Sequence, residues 1–453
     1  MALSANTVLE VRNGGSDTNG GGFVTGAAGT DWSQQDAAQY SVTDGVTAGT
    51  TTITSATANF GTDVVGNLIY VQGGTGSVVA GWYQITARTN STTITVDRST
   101  GLTAGTGVTL KIGGALASPG QAGAIAQVAG MTTFIKYHAT PYSATSASTN
   151  VSGGCVSGLA GTAYCGYDTT RSLYNLDANR PTFQANAASA ILFGNQNASY
   201  IISGIILDGN SQTTCRGTQQ SGVLFYCKAM NCTTAGFSQN LNAIAILCEA
   251  TLCTAGPFLI TTCYYCVAHD NTLTSPTGVG AFGAGSPLAY IGCIADSNNC
   301  DGFNGCTTNI NCVAYNNALH GFNAANISAV YANCIAESNG GGGFRFNTGG
   351  NGGVNLLNCG SYNNTSGRTV NSGGAKIWSD LNPITGSGSF FNNPASGDFT
   401  LNNTAGAGAA CRASGFPTNF PTPAANSNFA DVGPLHHQDT GGGSSVAHVL
   451  GSC

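Results

Sequence analysis

Charge is scarce in this chain. Only 7% of the 453 residues are Asp, Glu, Lys or Arg, against about 25% in an ordinary soluble domain. Disorder would need low hydrophobicity and high net charge, yet 42% of the residues are hydrophobic. Glu, Lys and Arg are too rare for long surface helices or a coiled coil. With 12 prolines and no three-residue glycine period, collagen is excluded. The 13 Lys and Arg are scattered and the net charge is -6, which argues against a nucleic-acid partner. No apolar run is long enough to span a bilayer, so no membrane insertion is expected. The opening MALSANTVLEVRNGG has neither the basic nor the apolar region of a signal peptide. Either a leader lies outside this sequence, or the protein is made and kept in a reducing cytoplasm, as a virion protein released by lysis would be.

Glycine, by contrast, is abundant at 66 residues, and there are 17 cysteines, an odd number in a long chain. Their positions say more than their number. Cys227, Cys248, Cys266, Cys293, Cys312, Cys334 and Cys359 are spaced by 21, 18, 27, 19, 22 and 25 residues. Two residues after them stand Ala229, Ala250, Ala268, Ala295, Ala314, Ala336 and Ser361; two before stand Phe225, Ile246, Tyr264, Ile291, Ile310, Ala332 and Leu357. Five residues after come Cys232, Cys253, Asn271, Asn298, Asn317, Asn339 and Asn364, and a Gly-Phe pair recurs at Phe237, Phe303, Phe322 and Phe344. A period near 20 with Gly and Asn at fixed places is the mark of a solenoid. Small apolar residues two before, at and two after the cysteine read as strand alternation with one face inward. Gly and Asn interruptions with few helix formers exclude a helical repeat. Each unit is therefore expected to be one coil of an all-β, right-handed parallel β-helix, its strands stacked about 4.8 Å apart. The Asn column is expected at a tight turn in left-handed conformation, amide bonded to amide. The cysteine column reads as core, because a buried thiol behaves as a small hydrophobe. Parallel Cβ vectors suit disulfides poorly, and Cys263-x2-Cys266 has no second pair to complete a metal site. Off the column, Cys300, Cys306, Cys411 and Cys453 are free to pair.

Before the coils, residues 44–114 hold five short β-branched runs separated by Gly, Asn and Ser, among them TTTITSATANF, VGNLIYVQGG and STTITVDRS. They read as a small inserted antiparallel β-barrel or sandwich, with Trp82 and Tyr83 in its core rather than forming a sugar platform. The flanking stretches LEVRNGGSDTNGGGF at 9–23 and AGAIAQVAGMTTFIKYHATPY at 122–142, with SGIILDGN at 203–210 and Asn-Cys-Val-Ala at 311–314, resemble pectate-lyase-like right-handed β-helix proteins, phage tailspikes among them. In that family a strand and a Gly-Ser-Asp turn lead to a capping helix, and a Gly-Thr-Tyr-type turn starts the coils. Here that turn reads Ala139-Thr140-Pro141-Tyr142, a looser match. GDFTLNNTAGAGAA at 397–410 looks like the family's last coil and cap. The resulting division is 1–43 strand and cap, 44–114 inserted β domain, 115–400 β-helix and 401–453 cap and extended tail. The Pro/Asn segment at 416–439 is expected to cover the open solenoid end. Its adjacent His436 and His437 point to opposite sides of an extended chain, which suits a surface role better than a metal.

The resemblance is informative for fold and weak for activity, since the family includes lyases, hydrolases, adhesins and inert parts. Glycoside hydrolysis needs two carboxyl groups. Three residues after each cysteine, on the outward face, the chain reads Met230, Thr251, His269, Asp296, Tyr315, Glu337 and Tyr362. Asp296 and Glu337 stand two coils apart, about 9.6 Å, near the separation of inverting glycosidases. They are the candidate catalytic pair, with His269, Tyr315 and Tyr362 as candidate sugar contacts. The plainer reading of the same column is a solvated strand face, and the sparse carboxylates favour it. A lyase is disfavoured by the lack of an aspartate cluster. No metal or other cofactor is expected. One residue after the cysteines, Val267, Ile294, Val313 and Ile335 form an outward aliphatic stripe that calls for cover by a partner chain, most simply in a homotrimer, or by a loop of the same chain. The reading that results is a structural or receptor- and glycan-binding virion appendage, a spike, fibre or decoration protein, with other virion proteins and cell-surface polysaccharide as partners. The alternatives are a tailspike-type polysaccharide depolymerase and an extracellular bacterial surface β-helix protein.

Overall fold

The computed structural model describes residues 3–125, 128–144, 162–189, 191–238, 243–275, 279–283, 289–325, 328–347, 353–371 and 376–412. The segment 416–439, with His436 and His437, and Cys453 lie outside them. The chain divides after Ile206 into two compact units, with Gln220–Gly222 belonging to the first.

In the first unit Thr7–Val11 pairs antiparallel with Gly22–Val24 and parallel with Thr132–Lys136, which pairs parallel with Thr162–Tyr167. Between them a six-stranded antiparallel sheet closes into a barrel in the order Tyr40–Thr47, Thr52–Thr54, Thr93–Val96, Gly81–Asn90, Leu68–Gln72, Gly105–Ile112. Alternation builds it: Ile53, Ile69, Val71, Tyr83, Ile85, Ile94 and Leu110 point inward and are buried. Tyr83 is core, while half-buried Trp82 packs on Tyr70 and donates its indole N–H to the Asn19 carbonyl at 2.9 Å. The turn aspartate Asp17 accepts from the backbone of Ala117 and Ser118, fixing the start of the short helix Pro119–Ala124. Fully buried Glu10 is bound by Arg12, Arg171 and the Tyr167 hydroxyl, so its charge is compensated rather than stranded.

The second unit is the repeat region. Three-residue strands Lys228–Met230, Glu249–Thr251, Val267–His269, Ile294–Asp296, Val313–Tyr315, Ile335–Glu337 and Gly360–Tyr362 stack in parallel register, each starting one residue after a cysteine. Two further parallel stacks complete each coil, one running through Ile244–Ile246 to Gly353–Leu357, the other through Ala235–Ser238 to Phe344–Asn347. The Gly-Phe register marks a column of buried rings: Phe237, Phe258, Phe282, Phe303, Phe322 and Phe344 follow one another at 4.7–5.2 Å. Phe258 and Phe282 escape the Gly-Phe pattern because Pro257 and Ala281 precede them.

Two bends frame every three-residue strand, and they correct the expected turn geometry. The residue before each cysteine, from Tyr226 to Asn358, and the residue four after it, from Asn231 to Asn363, have φ between 50° and 66°. The left-handed positions are therefore beside the Asn column, not in it. Strand alternation does not pass through a bend: the inward side chains upstream are Leu224, Ala245, Cys263, Tyr290, Asn309, Tyr331 and Leu356, three residues before the cysteine. The expected inward set two before, such as Ile246, Tyr264 and Ile310, is only half-buried. The bend before each cysteine, and most of those after it, is held by its own N–H, which reaches the next coil, as Tyr265 N does to the Ile291 carbonyl at 2.9 Å and Ser297 N to that of Tyr315 at 3.0 Å.

The bends also explain the cysteines. All seven column thiols donate to the carbonyl two residues back, across the left-handed residue, at 3.4–3.6 Å. Cys232 and Cys253 do the same at the other bend, and Cys306 does so across Gly305. A thiol is small and apolar enough for the core yet supplies a weak donor where the chain turns. Burial pushes the Cys248 and Cys306 thiols well above the usual range, keeping the proton that donates. Cys300 and Cys306 are buried thiols that form no disulfide, which closes the pairing left open for them by the sequence, and Cys411 is buried as well.

Where Asn replaces Cys at the second bend, the ladder is fully satisfied. The Asn298 amide donates to the Ala268 carbonyl and to Asn317 Oδ1, both at 2.9 Å, while its own Oδ1 accepts from Asn271 N and Nδ2. Asn317 and Asn339 repeat the pattern.

Candidate functional site

The outward column forms in the expected register: His269, Asp296, Tyr315, Glu337 and Tyr362 are successive partners on adjacent strands. Its two ends have different surroundings. From Ile294 onward the aliphatic stripe is covered by the chain itself: the hairpin Phe391–Asn393 with Asp398–Leu401 lays Phe390, Phe391, Phe399, Leu401 and Cys411 over Ile294, Val313 and Ile335. That cover removes the stripe as an argument for a trimer. It also buries Glu337, which is 2% exposed and accepts the Phe390 N–H at 3.0 Å. Burial raises its pKa. Tyr315 packs edge-on against Phe399 and Tyr362 against Phe390. Asp296 and Glu337 thus share a column but not an accessible site, and Tyr315 and Tyr362 serve as walls of the hairpin's apolar seat. The sequence could not disclose this, because the covering residues lie more than 50 positions beyond Glu337.

The other end stays open and polar. Glu249 Oε1 lies 2.7 Å from Lys228 Nζ and 3.0 Å from His269 Nε2, and His269 Nδ1 lies 2.8 Å from Asp270 Oδ2. Burial opposes ionisation of Glu249, but the bonds from His269 and Lys228 outweigh it and hold its pKa at about 2. Burial likewise opposes the imidazolium of His269, yet Glu249 and Asp270 raise its pKa. One coil on, burial drives Asp296 up to about 6, helped by the negative charge of Asp270, against the pull of a hydrogen bond from Ser297 Oγ at 2.7 Å. Carboxyl groups with pKa values this far apart are the raw material of acid–base chemistry. Glu249 and Lys228 were not among the residues singled out from the sequence. Their signal was a Lys stacked on a Glu with His269 two residues along the next strand, readable only once the coils were stacked.

Beside Asp296 the second bend opens into a shallow groove of about 370 Å³. Its floor is the Asn ladder, and its rim is Thr272, Ser297, Asn299, Asn316, Ala318, Ser338 and Gly340. The Asn316 amide donates to Ser297 Oγ at 3.0 Å, and that hydroxyl donates to Asp296, so the rim and the carboxyl group are wired together. Among the described residues no three His, Cys, Asp or Glu side chains are grouped so as to hold a metal ion.

No family model and no curated protein matches the chain. Among solved structures it is similar to ORF18 of Geobacillus virus E2, at 10% identity and a TM-score of 0.26, over 56% of this chain and 53% of that one, about half its length. It is similar to the catalytic domain of a GH87 alpha-1,3-glucanase in complex with tetrasaccharides, at 9% identity and a TM-score of 0.28, over 81% and 93%. It is also similar to the tailspike protein of Pseudomonas phage LKA1, at 12% identity and a TM-score of 0.18, over 78% and 64%.

Proposed function

We propose that this chain is a glycan-binding appendage of a virion, a spike, fibre or decoration protein of the pectate-lyase-like β-helix type, whose sugar contact is the groove at the second bend. The observation that carries this reading is a preorganised strip of amides and hydroxyls on a backbone that cannot yield. The Asn ladder beneath makes every amide bond available to it, so ordering the site on binding costs little. Rim groups such as Asn316 and Ser338 both donate and accept, as recognition of hydroxyl-rich ligands demands, while the Asn299 amide is tied to the Leu273 backbone. Assembly with other virion proteins, as a trimer or otherwise, belongs to the same proposal.

The test is binding of the full chain to a glycan array and to the host's surface polysaccharides, with the Asn316→Gly/Ser338→Ala variant alongside. Glycan retention by the parent and its loss in the variant is the expected result; no retention of any glycan removes the reading.

A second reading, depolymerisation of the bound glycan, is favoured by one observation: Asp296, with its raised pKa, borders the groove through Ser297. Mass spectrometry of polysaccharide incubated with the protein separates binding from cleavage.

A further inference from the structure

The groove's chemistry narrows the class of glycan it can hold, and this specificity rests on the glycan-binding function already proposed. The lining contains no ionisable side chain. Two charged groups flank it, Asp296 on the adjoining strand column and Asp270 at the bend position that Ser297 holds one coil on, both acids. The one lysine of that column's strands, Lys228, is held at 2.7 Å by Glu249, and His269 is held between Glu249 and Asp270. A polyanionic chain would therefore meet like charge there, with both of these cations already paired, an arrangement that rejects partners.

The groove also has a direction and a period. Its rim is contributed by four successive coils: Thr272, then Ser297 and Asn299, then Asn316 and Ala318, then Ser338 and Gly340. Ser297 and Ser338 occupy the same left-handed position as Asn316 and Asn363, and the amides reach back to the hydroxyls of the preceding coil, Asn316 to Ser297 at 3.0 Å and Asn363 to Ser338 at 3.3 Å. Hydrogen-bonding groups thus repeat along the stacking direction at the interstrand step of about 4.8 Å, comparable to the rise of one residue in an extended pyranose chain. Ala318 and Gly340 are exposed and place no polar side chain at the rim, their N–H groups being bonded to the neighbouring coil.

We infer that the groove takes an uncharged linear polysaccharide lying along the coil-stacking direction, one sugar residue per coil, with about four residues in contact across three steps of roughly 14 Å.

Titration calorimetry on the full chain tests this with two probe sets: linear neutral oligosaccharides of two to eight residues, drawn from mannan, xylan and glucan series, and oligogalacturonates of the same lengths. At least one neutral series should bind, tighten with each added residue up to four and then level off. Its affinity should change by less than about twofold between 20 mM and 500 mM salt, since screening acts only on charge. Asn316→Gly keeps the left-handed bend and deletes the amide, and should weaken that series by about 10-fold, one hydrogen bond's worth. Tighter binding of the oligogalacturonates, abolished by Asn316→Gly, overturns the neutral specificity while leaving a glycan site at the groove. Affinity that stops rising at two residues overturns the axial alignment. Binding of neither probe set overturns this inference, and the array experiment then decides separately whether any glycan is bound.

Discussion

One column of a single sheet carries both a solvated acid–base cluster and part of a hydrophobic core. At His269 the outward side chain meets Glu249 and Asp270 and stays partly exposed, as does Asp296; at Glu337, two coils beyond Asp296, it meets Phe390. The strands are equivalent in length, register and bends, so the difference does not arise in the repeat. It arises in the hairpin at 391–401, which extends over the coils from Ile294 onward. Outward in a solenoid is a statement about the coil, whereas exposed is a statement about the rest of the chain.

The comparison can be broken most forcefully from the hairpin side. Phe399→Ala removes a 3%-exposed ring from the seat formed with Tyr315 and should cost about 3–5 kcal/mol, measured by denaturant unfolding. The same experiment should free Glu337 to ionise with an ordinary pKa. Next in size, Asn317→Ala leaves the Ala295 carbonyl and the Asn298 N–H without their partners inside the coil. At roughly 1–3 kcal/mol per buried orphan, it should lower the unfolding midpoint clearly, whereas Asn316→Gly at the neighbouring exposed position should stay within about 0.5 kcal/mol. Native protein should also leave its column thiols unreactive toward an aromatic disulfide reagent until it unfolds, a direct count of how many bends are intact.

The open end makes a subtler prediction through pH. Asp296 is raised in the folded state from 3.8 to about 6, so the folded protein binds its proton more tightly than the unfolded chain. Its contribution to stability is present below about pH 4 and lost as pH rises through 6. Glu249, lowered from 4.5 to about 2, behaves oppositely: its contribution is present above 4.5 and lost as pH falls toward 2. Asp296→Asn should therefore flatten the decline between pH 4 and 6, and Glu249→Gln should flatten the loss below 4.5. Melting curves across that range read both, and identical profiles for the two variants would contradict the opposite environments described for them.

Much of the solenoid was legible because its residues recur in fixed columns. Seven cysteines, six with Ala and one with Ser361 two positions on, define a strand and its inward face, and Ile53 between threonines does the same for the barrel. The bend at the Asn column was misplaced by one residue, and the bend before each cysteine was not read. Tyr226, Leu247 and Leu252 occupy left-handed positions that composition would never assign to them, since the interstrand hydrogen bonds and not the side chains set those angles. The candidate site was half legible: the column was right, but Glu337, Tyr315 and Tyr362 were read as accessible, because repeat spacing says nothing about a distant hairpin. The pairing of Lys228 with Glu249 was not read because charge pairs across coils are far apart in sequence.

The two bends of each coil sit at constant separation, while the spacing between successive cysteines ranges from 18 to 27 residues. All of that variation falls on the arc between the groove residues six after one cysteine and the first bend of the next coil. The molecule therefore behaves like a bound book, with a spine of fixed geometry and a fore-edge whose pages are cut to different widths. Insertions along the fore-edge can diversify the surface without moving a residue of the groove, so new shapes can be acquired there while the spine keeps its register.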